Sequence, residues 1–120
     1  MQSFDAVSAG LTHECTRIVE ENHVVSHTGT PVLSTPMMIS MVERACMDLV
    51  QPLLPAGYTT VGYEVHIKHK APAQLGAALC VFCRLLEVEG RRLLFATRVS
   101  EAGRLIGEGT HRRTIIPIPD

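Results

Sequence analysis

TPMMISMVERACMDLVQPLLPAG, residues 35–57, decides the fold of this 120-residue chain, because it carries a sustained helical period. Thr35 reads as the N-cap and Pro36 as the first helical residue, where a missing amide costs nothing. The helix is expected from Pro36 to about Leu53, with Pro52 and Pro55 helping to end it and Gly57 turning the chain. At about 100° per residue, Met38, Ile39, Val42, Ala45, Cys46, Leu49, Val50 and Leu53 form a broad apolar face, while Ser40, Arg44, Asp48 and Gln51 gather opposite. Glu43 projects between the directions of Met47 and Val50, at the border of the buried surface. A carboxylate placed there reads equally as a solvated helix-edge residue or as a reactive group facing a cleft.

Beyond the helix, TTVGYEVHIKHKAP, residues 59–72, alternates as a strand. Val61, Tyr63, Val65, Ile67 and His69 are expected on the core side, and Gly62, Glu64, His66, Lys68 and Lys70 on the other. His69 therefore closes an apolar row, as a satisfied half-buried histidine or as a titratable partner for Glu43. Residues 75–88 form a long apolar strand, Glu89–Gly90 a turn, RLLFATRVS the next strand, Ala102–Gly103 another turn, and RLIGEGTHRRTII the last strand. On the N-terminal side, LTHECTRIV (11–19) suits an exposed first strand, and 20–34, with His23, Ser26, His27, Gly29 and Pro31, has no sustained period and reads as a loop. One helix followed by four consecutive strands leaves no helices for parallel crossovers, so the class is α+β. The only cover for the sheet's apolar face is the helix, which implies one long central helix wrapped by a curved antiparallel sheet.

Composition fits a single domain spanning 1–120, with 46% hydrophobic and 19% charged residues. A formal charge of −1, three Phe, two Tyr and no Trp offer neither a field nor stacking platforms for nucleic acid, so no nucleic-acid partner is expected. MQSFDAVSAGLTHEC lacks a basic and then apolar leader, and no run approaches the roughly 20 apolar residues of a spanning helix, so we expect a cytoplasmic chain with no membrane partner. The four cysteines, 15, 46, 80 and 83, read as buried free thiols. Cys80 and Cys83 sit three apart in a strand and so face opposite ways, as do His66 and His69; no metal is implied.

With these elements in place, the chain resembles the hotdog fold, and within it the fluoroacetyl-CoA thioesterase-like family. The likeness spans most of the chain and is densest in STPMMISMVERA (34–45), TTVGYEVHIKHKAP (59–72) and IGEGTHRRTII (106–116). The family places a Thr at the helix start, a Glu eight residues on and a His 26 residues further, spacings that Thr35, Glu43 and His69 reproduce. The resemblance implies a thioester hydrolase acting on a small acyl-CoA. Glu43 would attack the thioester carbonyl or activate water, His69 would assist proton transfer and thiolate departure, and Thr35 would position the carboxylate or substrate. Coenzyme A enters only as part of the substrate, and no separate cofactor is implied. Gly62 matches a family glycine beside the acyl group, although strand relief explains a glycine there as readily. Lys68, Lys70, Arg112 and Arg113 are candidate cations for the coenzyme A phosphates, against the alternative of solvated faces. Gly29 falls where the fluoroacetate-handling member carries a bulky aromatic lid, which implies a looser acyl pocket. An uncovered strand edge implies a homodimer with active sites at the subunit interface. Two other functions compete. One is an acyl-CoA binding or sensing module with little hydrolysis. The other is a hotdog hydratase, whose Asp and His hydration motif is not visible.

Overall fold

The computed structural model describes residues 3–119; Met1, Gln2 and Asp120, the ends of the expected domain, lie outside the described residues. Strand β1 (Thr12–Ile18) precedes a small hairpin of β2 (Val24–Val25) and β3 (Val32–Leu33). Helix α1 (Thr35–Val50) follows, then β4 (Tyr58–His69), β5 (Ala78–Glu89), β6 (Arg92–Glu101) and β7 (Arg104–Pro117). The five long strands form one antiparallel sheet in the order β1-β5-β6-β7-β4, and α1 packs across its inner face. The meander β5-β6-β7 and its turns thus follow the expected pattern. The loop after β1 is more ordered than its composition suggests, holding a short 3-10 turn at Glu21–His23 as well as the hairpin.

The core lies between helix and sheet. Met38, Met41, Val42, Ala45, Cys46, Leu49 and Val50 point down from α1 onto Leu79, Val81, Cys83 and Leu85 of β5 and Leu93, Phe95 and Val99 of β6. Truncating one of the larger of these, such as Phe95→Ala, costs about 3–5 kcal/mol. Cys83 is buried on this face and Cys80 is not, as a three-residue offset in a strand requires. A hydrogen bond with Cys83, then burial, push the Cys46 thiol pKa far up.

Two local departures from the expected pattern shape everything that follows. First, the helix cap is Ser34, not Thr35: the Ser34 side chain accepts from the Met37 amide at 3.3 Å, Thr35 opens the helix and Pro36 sits within its first two positions. Both residues are good caps, and the shift by one frees the Thr35 hydroxyl. Second, β4 does not keep one phase. The pairing with β7 slips between Gly62 and Glu64, leaving Tyr63 as an extra residue, a β-bulge. Val61 and Tyr63 are therefore not core residues as their alternation implies; they are 42% and 47% exposed. Before the bulge Thr60 and Gly62 face the helix, and after it Ile67 and His69 do.

Candidate active site

Thr35 and His69 are brought together. The Thr35 Oγ1 lies 2.9 Å from His69 Nδ1, because the freed hydroxyl at the helix start meets the last inward residue of β4. The other ring nitrogen, Nε2, is buried with no hydrogen-bond partner among the described residues. A buried polar atom left open is rare and marks a place where a ligand or a further group belongs.

Glu43 stands apart from that pair. Eight helical residues separate it from Thr35, about 12 Å along the axis at 1.5 Å per residue. Its Oε2 lies 4.0 Å from Arg113 Nη1, and its side chain is 41% exposed against 7% for Arg113. Gly62 closes this second cluster. A Cβ built on it would fall 2.9 Å from Glu43 Oε2, 2.8 Å from His111 Cε1 and 3.2 Å from Arg113 Nη1, so these three groups occupy space that any other residue would need. Gly62 thus faces the helix side, and the slip at Tyr63 is what lets it share that face with His69 despite their odd spacing.

His111 and Arg113 are next to nearest neighbours on β7; the sequence reading does not single out His111, and it expects Arg113 only as a phosphate cation. His111 Nδ1 lies 2.8 Å from the Glu64 carbonyl, which can only accept, so Nδ1 carries the proton and Nε2 accepts from Arg113 Nη1 at 3.3 Å. Burial lowers the His111 pKa, and the Arg113 cation adds to this against the hydrogen bond with Glu64 and the Glu43 charge. Arg113 donates through Nε to Thr60 Oγ1 at 2.8 Å and through Nη2 to the Thr60 carbonyl at 2.9 Å. Burial also lowers the guanidinium pKa, while Cys46 and Glu43 oppose the shift.

The remaining expected residues separate. Arg113, expected as a cation for the coenzyme A phosphates, is instead buried within the chain and committed to Thr60 and His111. Arg112 lies on the opposite, outer face and pairs with Glu64 at 2.9 Å. Lys70 pairs with Glu108, also at 2.9 Å, holding that carboxyl below its usual pKa. Lys68 is exposed opposite Glu108. Gly29 is exposed in the turn of the β2–β3 hairpin with φ +97° and nothing within 4 Å of a built Cβ, so within one chain it lines no acyl pocket and has a conformational reason to be glycine.

A helix laid across a curved five-stranded antiparallel sheet is the hotdog fold, and solved structures share it closely. A hot-dog-like protein from Thermanaerovibrio acidaminovorans superposes with a TM-score of 0.87 at 18% identity, covering 98% of this chain and 89% of that one, a likeness of fold. The solved fluoroacetyl-CoA thioesterase FlK gives 0.86 at 26% identity, covering 93% and 90%. A thioesterase superfamily member from Thermus thermophilus gives 0.84 at 27%, covering 92% and 85%. The fluoroacetyl-CoA thioesterase of Streptantibioticus cattleyicolor is 33% identical over 85 residues, which are 71% of this chain and 61% of that protein, so the match spans less than two thirds of that relative. The profile of the fluoroacetyl-CoA-specific thioesterase family matches residues 12–118, and the chain belongs to that family.

Proposed function

We propose that the chain hydrolyses the thioester of a small acyl-CoA to the free acid and coenzyme A. The observation that carries this is the His69 imidazole, held through Nδ1 by Thr35 with a buried and unpartnered Nε2. The Glu43 carboxylate attacks the acyl carbon, forming a mixed anhydride and releasing the thiolate, which takes its proton from His69; water then cleaves the anhydride. Alternatively Glu43 takes the proton of a water that attacks directly. Both routes end in the same acid and thiol.

Within one chain, Glu43 and the Thr35–His69 pair are too far apart for one carbonyl. The open clefts at the N-terminal segment, lined by Phe4, Val7 and Val88, and beside Pro72, Gln74 and Arg104 include none of the three residues. The sheet ends in two edge strands, β1 and β4, and the edge that carries Gly62 and His69 is β4, with Val61 and Val65 exposed along it. Two copies pairing β4 to β4, antiparallel and centred between Val65 and His66, set Gly62 of one against His69 of the other. Each site then joins Thr35 and His69 of one chain to Glu43 and Gly62 of a second copy, and the working unit is a homodimer. The exposed Lys68 and Lys70 and the half-buried Arg112 flank this edge and serve the coenzyme A phosphates. Gly29, at the hairpin tip, leaves the acyl end without a bulky lid.

The test is free-thiol release across a panel of acyl-CoA substrates, with Glu43→Ala as control and light scattering for the assembly. Turnover of acetyl-CoA alongside fluoroacetyl-CoA, with discrimination limited to about 1–3 kcal/mol per small substituent, is expected. Binding without thiol release points instead to an acyl-CoA sensing module, and a stable monomer at micromolar concentration removes the shared site.

A further inference from the structure

Among the described residues, the buried polar or charged side chains are His23, Thr60, Thr97, His111 and Arg113, and three of the five form one cluster behind Gly62. Burying an arginine there is expensive, and an apolar side chain of similar volume would hold the sheet as well or better. Packing therefore gives no reason for this guanidinium. Thr60 takes Nε and Nη2, the His111 ring takes a proton of Nη1, and each of these partners is neutral. The cation is oriented entirely by neutral partners. Among the described residues, the single carboxylate within 4.0 Å is Glu43.

We propose that Arg113 is a positioning residue for Glu43, with Thr60 and His111 fixing the guanidinium and Gly62 leaving the gap through which the two charges meet. This rests on the reading of Glu43 as the reacting group. Glu43 is a long side chain at a helix margin, and by itself it would sample several rotamers. A preformed cation on one side restricts it at no cost when the substrate arrives, since the guanidinium is already held. It also distinguishes the two oxygens. Neither oxygen has a hydrogen-bond partner among the described residues, but Oε2 is the one turned toward Arg113, at 4.0 Å, which leaves Oε1 as the oxygen presented for attack or for taking a proton. The groups facing Glu43 are Arg113 and His111 from β7 and the Cys46 thiol from its own helix, and Arg113 is the charged one.

The test is a kinetic cycle on full-length protein with acetyl-CoA: wild type, Arg113→Gln, Glu43→Gln and the double variant. Arg113→Gln is expected to lower kcat by about tenfold to a hundredfold, the scale of a misplaced reacting group, with KM nearly unchanged. In the Glu43→Gln background the same substitution is expected to cost nothing further, because the group it positions is gone. Arg113→Lys, which keeps the charge but not the forked grip on Thr60, is expected to fall between. Should Arg113→Gln not fold, Thr60→Val removes the Oγ1 acceptor in a side chain of the same shape, and a smaller loss that again vanishes with Glu43→Gln is expected. An equal loss in both backgrounds overturns the inference and leaves Arg113 as a structural residue. A raised KM with kcat intact overturns it in favour of a contact to coenzyme A. If Glu43→Gln itself turns over like wild type, the fault lies with the proposed function instead.

Discussion

Gly62→Ala tests the second cluster most directly. The added Cβ needs about 3.4 Å of clearance, and the structure leaves it about 0.6 Å short at His111 Cε1, about 0.5 Å short at Glu43 Oε2 and about 0.2 Å short at Arg113 Nη1. These neighbours differ in how easily they give way. His111 is buried, bonded to the Glu64 carbonyl and stacked on Phe95 with ring centres 6.4 Å apart. Arg113 is held by Thr60 at two atoms. Glu43 is tethered at neither oxygen by a hydrogen bond and is partly exposed, so it yields first. Overpacking of this kind costs about 1–3 kcal/mol of stability, offset by about 0.4–1 kcal/mol from the stiffer unfolded chain, and the melting temperature should drop only slightly. The kinetic effect should be far larger, because moving a reacting carboxylate by half an ångström to an ångström costs up to about a hundredfold in turnover. Thiol-release kinetics beside thermal melts separate the two. An alanine variant that melts and turns over like wild type would show that Gly62 is plain strand relief and that Glu43 is not held for chemistry at this spot.

Three further outcomes follow from the same geometry. Glu43→Gln and His69→Ala should each reduce turnover by about a hundredfold or more, and the double variant should be little worse than either; losses that multiply would mean that the two do not share a transition state. Ser34→Ala should lower stability by about 1 kcal/mol through the lost cap and leave turnover alone, whereas Thr35→Val should lower turnover at nearly constant melting temperature; the reverse pattern would put the cap back at Thr35. His111 is held neutral by burial and by Arg113, so its folded pKa lies below the unfolded value of 6.5. The unfolded chain then binds this proton more readily, and the contribution, complete above pH 6.5, is lost as pH falls below it toward the folded pKa. Thermal melts from neutral to mildly acidic pH should decline, and His111→Gln should flatten that decline.

The long elements were legible because each has one dominant period. Seven buried residues of α1 follow the helical repeat, and β5 and β6 alternate without ambiguity over their inward halves. The apolar face differs from expectation only at its margins, where Met41 is buried while Ile39 and Leu53 are half-buried. The cap was not legible to one residue, since Ser34 and Thr35 are both good caps and a proline is tolerated at either of the next positions. The burial of Arg113, expected as a surface cation, and the part played by His111 were hidden for a different reason. Alternation along β7 puts 111, 113 and the buried Ile115 on one face, which is a sufficient signal, but the rule that arginine seeks water points the other way. That rule fails here because Thr60 supplies two acceptors on the neighbouring strand.

The bulge at Tyr63 connects these points. Gly62 and His69 are seven residues apart, and in an unbroken strand an odd offset puts them on opposite faces. One extra residue restores them to the same face, toward the helix, while sending Tyr63 outward beside Glu64, Arg92 and Arg112. Period-two reading cannot detect this, because a bulge leaves the composition of a strand unchanged and shifts only its phase. The glycine just before it is the local trace. A residue with no side chain has nothing to gain from either face, so its placement beside Glu43 follows from what approaches it. Each end of β4 then serves a different half of the site: Gly62 admits the carboxylate with its buried cation, and His69 meets the hydroxyl that the Ser34 cap has left free. Since about 12 Å of helix separates those halves within one chain, the proposed shared site needs a second strand, running the other way, against the open edge of β4.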